Sequence, residues 1–276
     1  MKFDLHCHSY YSDGQLSPAE LLALAKEVGI THLALTDHDT LNGLPDAAAA
    51  AQQQQLHLIN GVELSCSWNG QLLHVLGLGV DPKNPELIAG IERNTELRLS
   101  RAKAMVEDFS RHGIELEEEV NGLLNGAVPT RPHFAEALVN LGYAKNKNQA
   151  FKRYLVRGKP GFIPMQWPLL QEVAEWIVGA SGTAVLAHPL RYKLTRTKLV
   201  RLIEEMQEAG VRAMEVSSAN LDLQQVKMLA DLAVQHKLLG SVGSDFHALD
   251  QPWARLGGAR DIPETVTPVW SELAVA

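Results

Sequence analysis

Segments typical of β-strands alternate with segments typical of amphipathic helices along most of this 276-residue chain. Short apolar runs predict seven strands, and apolar residues spaced three and four apart predict five helices between them. Because a helix separates most consecutive strands, the strands are expected to be mainly parallel, with right-handed crossovers. The pattern therefore favours either an α/β barrel or a doubly wound sheet. The predicted strands are 2–8, 31–36, 56–64, 71–80, 183–187, 212–217 and 239–244.

One long segment, residues 81–164, interrupts this alternation and shows helical patterns without strand signals. We therefore predict two domains, a discontinuous barrel formed by 1–80 and 165–276 and a small helical domain inserted at 81–164. Such an insertion could cover the active face of the barrel. The elements predicted within it are a long helix at 86–112, an acidic turn at 115–119 and helices near 132–141 and 147–156.

The composition is that of a soluble globular chain, with 46% hydrophobic and 21% charged residues. This length and composition allow a sizeable core. The net charge of −7 argues against broad, sequence-independent binding to nucleic acid, which requires a basic surface. Recognition of a phosphate group would therefore have to be local.

The cysteines and the apolar segments indicate where the protein works. Cys7 and Cys66 are far apart in sequence and form no metal or redox motif, so a disulfide framework is not expected. The start of the chain has no apolar signal region, and no segment approaches the ~20 apolar residues of a membrane span. We expect a cytoplasmic protein without membrane contact, and no protein partner is predicted.

Two histidines one residue apart, His6 and His8, lie on the first predicted strand. Successive strand side chains point to opposite faces, so both imidazoles point to the same side. Such a pair can place two neutral nitrogens on one metal cation. A polar strand end that faces water is the alternative interpretation of this pair.

Further histidines and carboxylates recur near the ends of the predicted strands, and His74 lies on the fourth strand itself. In α/β barrels the carboxyl ends of the strands form the active site, so side chains at these positions are expected to converge. Some of these residues also suit purely structural roles, since Asp13 fits a turn, Asp37 and Asp39 could cap a helix and His188 could simply end a strand. The recurring candidates are His6, His8, Asp13, His38, Glu63, His74, His188, Asp245 and His247.

Taken together, these segments resemble the motifs of the polymerase and histidinol phosphatase (PHP) family of metal-dependent phosphoesterases. The resemblance covers about 1–80 and 165–276, and it implies a distorted (β/α)7 TIM-like barrel that binds three divalent metal ions. The matching motifs are DLHCHS at 4–9, SDG at 12–14, TDHD at 36–39, GVE at 61–63, HVLG at 74–77, AHP at 187–189 and GSDFH at 243–247.

The resemblance also implies how the nine candidates, as metal-ligating and catalytic residues, are divided among the ions. Glu63 would bridge two ions, which the lone pairs of its two oxygens allow. Manganese is the ion expected from the family, and iron or zinc are alternatives because imidazole and carboxylate ligands suit all three. The implied sets are His6, His8, Glu63 and Asp245 for one ion, Glu63, His74 and His188 for a second, and Asp13, His38 and His247 for the third.

Within the family the chain is most similar to bacterial 3',5'-nucleoside bisphosphate phosphatases, also described as 5' to 3' exoribonucleases acting on short RNA. The inserted segment with Thr130-Arg131-Pro132-His133-Phe134 and the compact length support this likeness. It implies hydrolysis of the 3'-phosphate, with His247 or a water molecule protonating the leaving oxygen. Two alternatives stay open: a phosphatase for histidinol phosphate or another monoester, and an inactive metal-binding regulatory domain.

A substrate with a second phosphate would need cations away from the metal ligands. Arginine suits this role because its planar guanidinium makes two parallel hydrogen bonds to phosphate. The alternative is that these are solvated helix charges. Glu215 and residues 217–220 could line the pocket or orient ligands, or they could form an ordinary loop. The candidate substrate-binding residues are Arg98, Arg101, Lys103, Arg131, His133 and Arg157, with Lys159 as a further cation.

Overall fold

A seven-stranded mixed sheet, closed almost completely into a barrel, forms the centre of the computed structural model, which describes residues 1–273. The strands follow one another around the sheet in chain order. A parallel bridge between Cys7 and Phe246 brings its two edges together. The predicted barrel is therefore confirmed. The strands are β1 (Phe3–Asp4), β2 (His32–Leu35), β3 (His57–Trp68), β4 (Gln71–Leu78), β5 (Thr183–Leu186), β6 (Ala213–Ser218) and β7 (Leu239–Gly243).

Strand β4 is the exception to the parallel arrangement, because it runs antiparallel to both β3 and β5. Asn69 and Gly70 join β3 to β4 and both have positive φ, 48° and 73°. An Asn-Gly pair with this geometry forms the tight turn of a β-hairpin, which leaves no room for a crossover helix. The hairpin carries His74 on β4 to the side of Glu63 on β3.

Helices surround the barrel, and the five predicted outside the insertion are present. At the start of the first, Ser17 and Glu20 form the predicted capping box, with Ser17 N donating to Glu20 Oε2 over 2.8 Å. No helix within residues 1–273 has the length and apolarity needed to cross a lipid bilayer. The helices are α1 (Pro18–Glu27), α2 (Leu44–Gln54), α3 (Pro85–Arg111), α4 (Glu117–Leu123), α5 (Arg131–Asn140), α6 (Lys147–Ala150), α7 (Leu170–Gly179), α8 (Arg196–Glu208) and α9 (Leu223–Gln235).

Alternating side chains along each strand separate the core inside the barrel from the core under the helices. On β5, Ala184 and Leu186 pack outward against the helices, whereas Val185 points inward. Inside the barrel Val185 meets apolar side chains from other strands, including Leu76 and Ala213. This apolar filling occupies the barrel interior and leaves its rim to polar residues.

Helices α3 to α6 form the inserted segment, which follows β4 and has an apolar cluster of its own. Phe109 of α3 packs against Phe134 of α5, with ring centroids 6.3 Å apart. The predicted acidic turn at 115–119 is wrong, because α4 begins at Glu117 and carries three glutamates in its first turn. Negative side chains stabilise the amino end of a helix, where the helix dipole is positive.

Two predicted element boundaries also change. The strand predicted at 2–8 is regular only over Phe3–Asp4, because the Cys7 backbone N–H donates to Thr36 Oγ1 instead of to a neighbouring strand. The helix predicted at 147–156 is α-helical only over Lys147–Ala150, as α6, and a π-helical turn follows over Phe151–Leu155. The division of the chain into two domains stays a prediction.

Four stacked rings lie at the start of the first strands, opposite the polar rim. Phe3 stacks on Trp270 at 4.2 Å and on His32 at 4.4 Å, and His32 stacks on His57 at 4.6 Å between centroids. Burial, reinforced by the nearby charge of His57, lowers the pKa of His32. The stack therefore favours a neutral imidazole at position 32.

Replacing His32 with phenylalanine is expected to make the protein less sensitive to acid. A histidine whose pKa is lower in the folded than in the unfolded state costs stability as pH falls below about 6.5, because the unfolded chain then binds more protons. His32→Phe keeps a flat ring but cannot take up a proton. Urea unfolding between pH 7.5 and pH 5 should show the free energy of unfolding falling less in the variant; a parallel decline would contradict this role.

Candidate metal centre

Glu63 lies at the centre of the polar rim and is fully buried. Its Oε1 atom lies 2.9 Å from His74 Nδ1 and 3.0 Å from His188 Nε2. A single carboxylate thus contacts imidazoles that come from β4 and from the segment after β5. The nitrogens within 3.2 Å of its Oε2 atom belong to His6, His8 and His38.

Two further carboxylates flank Glu63. Asp245, which follows β7, has its Oδ1 atom 3.2 Å from His6 Nε2 and 3.1 Å from His8 Nε2. Asp13, in the loop after β1, lies 3.3 Å from His247 Nε2. All nine predicted residues therefore meet in one cluster, on the side of the barrel expected for an α/β barrel.

The cluster contains three overlapping groups that could each hold a metal ion, with ligand atoms within 4.8 Å of one another. In the third group His38 joins Glu63 and His74. The family pattern implied His188 at this place, and His188 also contacts Glu63. The assignment of residues to individual ions thus stays a prediction. The groups are His8, Asp13, His38 and His247; His6, His8, Glu63 and Asp245; and His38, Glu63 and His74.

The atoms of the cluster fit metal ligation better than a hydrogen-bond network. His6 Nε2 and His8 Nε2 lie 3.1 Å apart and both face carboxylate oxygens. The buried His38 Nδ1 and His74 Nδ1 atoms lie 3.0 Å and 2.9 Å from Glu63 oxygens, but not at angles that form a hydrogen bond. Neutral imidazole nitrogens and carboxylate oxygens, without thiolate, suit manganese, iron or zinc.

Glu215 on β6 orients two of these histidines from outside the cluster. Its Oε1 atom lies 2.8 Å from His6 Nδ1, and its Oε2 accepts a 2.5 Å hydrogen bond from the backbone N–H of His188. At His6 this contact fixes which imidazole nitrogen faces a metal, and at His188 it holds the backbone that carries the ring. Gly243 permits this approach, since a Cβ there would lie 2.3 Å from His6 Cβ. The interpretation that Glu215 orients ligands therefore agrees with the structure.

Asp37 and Asp39, which flank His38, do not cap α2, whose N-cap is Gly43. Asp37 instead accepts hydrogen bonds from Ser9 and Ser12, all of 2.7 Å. These bonds shape the loop that ends at Asp13.

Two site residues, His188 and Asp245, have left-handed backbone conformations with φ of 32° and 53°. This strained state recurs at functional sites.

The three carboxylates of the cluster stay ionised at neutral pH. Burial alone would raise the pKa of Glu63, but the imidazoles of His38 and His6 hold it well below the ordinary value. Burial is likewise overcome at Asp245, where Arg191 and His6 keep the pKa well below its usual range. Buried negative charge of this kind favours cations.

The predicted substrate-binding residues divide into two sets. Arg98, Arg101, Arg131 and His133 lie close together, and Asp13 acts electrostatically on Arg131 and His133. In contrast, Lys103 is exposed over a surface groove between α3 and α4, and Arg157 is exposed. The first set therefore lies beside the metal centre, whereas the second set faces solvent.

Sequence reasoning missed Arg191, whose Nη1 atom contacts Asp245 Oδ2. Burial opposes its charge, but Asp245 and Glu63 raise the pKa of Arg191. Arg191 also lines a cavity of about 170 Å³ with Asn220 and Gln225. In the sequence, its position three residues after His188, at the end of a strand, could have indicated that Arg191 lies near the site.

Known proteins resemble the chain over almost its whole length. The PHP domain family model matches residues 4–215. A relative from Chromobacterium violaceum, named 3',5'-nucleoside bisphosphate phosphatase, is 42% identical over 98% of this chain and 95% of its own. A relative from Haemophilus influenzae, named 5'-3' exoribonuclease, is 40% identical over 98% of both chains.

A solved structure from Chromobacterium violaceum, described as an amidohydrolase with bound sulfate and no metal, matches with a TM-score of 0.93. It is 41% identical and covers 99% of this chain and 95% of that chain. The family model, these relatives and the nine-residue cluster agree with the resemblance that the motifs implied. The chain belongs to the PHP domain family.

Proposed function

We propose that the protein is a metal-dependent phosphatase that removes the 3'-phosphate from nucleoside 3',5'-bisphosphates, giving a nucleoside 5'-monophosphate and phosphate. The observation that carries this proposal is the convergence of nine imidazole and carboxylate side chains, with Glu63 at their centre. The substrate follows from the name of the Chromobacterium violaceum relative, which is 42% identical to this chain.

Three divalent ions are proposed for the cluster, with manganese as the first choice. Bound there, such ions would polarise the phosphoryl oxygens and lower the pKa of water to near neutrality. Glu63, Asp245 and Asp13 supply three negative charges, fewer than three divalent ions would bring. The loaded centre would therefore attract phosphate although the chain as a whole carries a net charge of −7.

The guanidiniums on the insertion side of the cluster offer a place for a second phosphate. The Arg101 Nε atom is buried and has no hydrogen-bond partner within residues 1–273. Burial, together with the charges of Arg131 and Arg98, lowers the pKa of Arg101. A partly buried guanidinium whose buried Nε atom lacks a partner is costly, and an anion such as the 5'-phosphate would relieve that cost.

Removing Arg101 or Arg131 is expected to weaken binding of the bisphosphate selectively. Loss of a charge-assisted contact of about 1.5–3 kcal/mol predicts a rise in KM of roughly 10- to 100-fold. Arg101→Met and Arg131→Met should show this rise with adenosine 3',5'-bisphosphate but not with adenosine 3'-monophosphate. Steady-state phosphate release measures the KM of each variant for both substrates.

Arg111→Met is the matched control, because Arg111 is exposed at the end of the same helix and pairs with Asp108. Its KM values should match those of the wild type. Equal losses on the two substrates in the Arg101 and Arg131 variants would count against a dedicated site for a second phosphate.

Trimming of short RNA from its 5' end is a second candidate, favoured by the name of the Haemophilus influenzae relative. The most direct test offers manganese-reconstituted protein adenosine 3',5'-bisphosphate, 5'-phosphorylated short RNA and histidinol phosphate. Nucleoside 5'-monophosphate should accumulate from the first. Preference for histidinol phosphate would reject the proposed substrate, and no hydrolysis by metal-loaded protein would favour a regulatory domain.

A further inference from the structure

A buried polar network connects the inserted helix α3 to the barrel next to the metal centre. Asp39 Oδ2 accepts a 2.6 Å hydrogen bond from Arg98 Nε, and Asp39 Oδ1 accepts one of 2.7 Å from Asn94 Nδ2. Both α3 side chains also reach Ser65: Arg98 Nη2 donates to its hydroxyl and Asn94 Nδ2 to its carbonyl, each over 2.9 Å. All four residues are buried.

The two barrel residues in this network adjoin candidate metal ligands. Asp39 follows His38 directly, has a left-handed backbone with φ of 48° and donates its N–H to Glu63 O over 2.9 Å. Ser65 lies two residues after Glu63 on β3, so its side chain shares the face of Glu63. The backbone N–H of Ser65 also donates to Asp39 Oδ1 over 2.8 Å.

Arg98 has little freedom to serve another partner. Its side chain is only 9% exposed, and its guanidinium lies 5.5 Å from the ring centroid of Trp167, in the segment that returns to the barrel. Arg101 lies three positions further along α3, and its Nε atom lacks a partner within residues 1–273. The two arginines, both predicted to bind substrate, therefore occupy different environments.

We propose that Asn94 and Arg98 are positioning residues, which hold the His38 loop and the Glu63 strand in the geometry that metal binding requires. The inserted helix is then part of the metal centre as well as a wall for substrate. This inference rests on the proposed function, because it takes His38 and Glu63 to be metal ligands. It assigns Arg98 a role away from the substrate.

Three methionine variants along α3 separate this role from substrate contact. Arg98→Met should weaken manganese binding by up to about 10- to 100-fold, the effect of losing a group that orients a metal ligand directly. Arg101→Met should leave manganese binding unchanged. Arg93→Met is the control, because Arg93 is exposed on the same helix and pairs with Glu172. Calorimetric titration of metal-free protein with manganese, without substrate, measures the manganese affinity of all three variants.

Activity provides a second, independent readout. Arg98→Met should lower kcat equally for adenosine 3',5'-bisphosphate and adenosine 3'-monophosphate at saturating manganese, with little change in KM. Arg98→Lys keeps the charge beside Asp39 but loses the second hydrogen bond, to the Ser65 hydroxyl. Its kcat should lie between those of the wild type and Arg98→Met. If Arg98→Met does not fold, the same titration of Arg98→Lys decides the question, with weakened manganese binding again expected.

Two results would overturn the inference. One is wild-type manganese binding in the folded Arg98 variants. The other is a rise in KM confined to the bisphosphate, which would make Arg98 a substrate contact. If the wild type binds manganese but hydrolyses neither nucleotide, while binding falls in the Arg98 variants, the proposed reaction fails and the positioning role stands.

Discussion

Replacing Glu63 with glutamine is expected to lower kcat/KM for phosphate release by about a thousandfold or more. Glu63 is the one carboxylate that contacts five histidines of the cluster. Its loss would remove the ligand that we propose to be shared between ions. Stabilisation by a metal is worth several kcal/mol, and each 1.36 kcal/mol equals a factor of ten. Phosphate release and metal content per chain, measured on the same preparation, test this expectation.

Glu172→Gln is the matched control for this variant, because Glu172 is partly exposed and pairs with Arg93 on the outside of the barrel. It should keep wild-type metal content and activity. Near-ultraviolet circular dichroism checks that Glu63→Gln stays folded. A folded Glu63→Gln protein with normal phosphate release would reject the proposed centre.

Removing metal with a chelator is expected to abolish activity and to lower the melting temperature. A ligand present at 100 times its dissociation constant stabilises the folded state by about 2.7 kcal/mol per site. For a chain of this size each kcal/mol corresponds to roughly 2–4 °C, so one ion should contribute about 5–10 °C. Differential scanning calorimetry before and after manganese is restored measures the shift.

The identity of the ion is tested in the same experiment. Manganese, iron(II) and zinc are added singly to metal-free protein, and activity is expressed per bound ion; manganese should restore the highest value. Glu63→Gln should gain less stability from each ion than the wild type does. Full activity at less than a tenth of an ion per chain would contradict metal dependence.

Much of the barrel and of the centre could be predicted because the relevant signals are local. Residues 183–186 read as a strand from their apolar run, and Ser17 with Glu20 marks the start of α1. Eight of the nine candidate ligands lie near predicted strand ends, which a barrel brings to one rim, and His74 lies on the fourth strand. Their convergence around Glu63 agrees with that expectation.

The roles of the cations could not be predicted in this way. Arg98 and Arg101 are three positions apart on one helix and look equivalent in the sequence, yet Arg98 pairs with Asp39 whereas Arg101 has a buried Nε without a partner in residues 1–273. The difference depends on how α3 lies across the barrel. Arg191 was missed for the same reason, since its contact with Asp245 joins the ends of β5 and β7.

By itself, the sequence determined which segments form strands and helices, the family to which the chain belongs and which side chains could ligate a metal. These properties follow from residue type and from periods of two and 3.6 residues within single elements. Only the tertiary structure decided that His38 joins Glu63 and His74, and that Asn94 and Arg98 reach the loop beside it. Contacts between elements depend on the packing of the whole barrel, which no local period encodes.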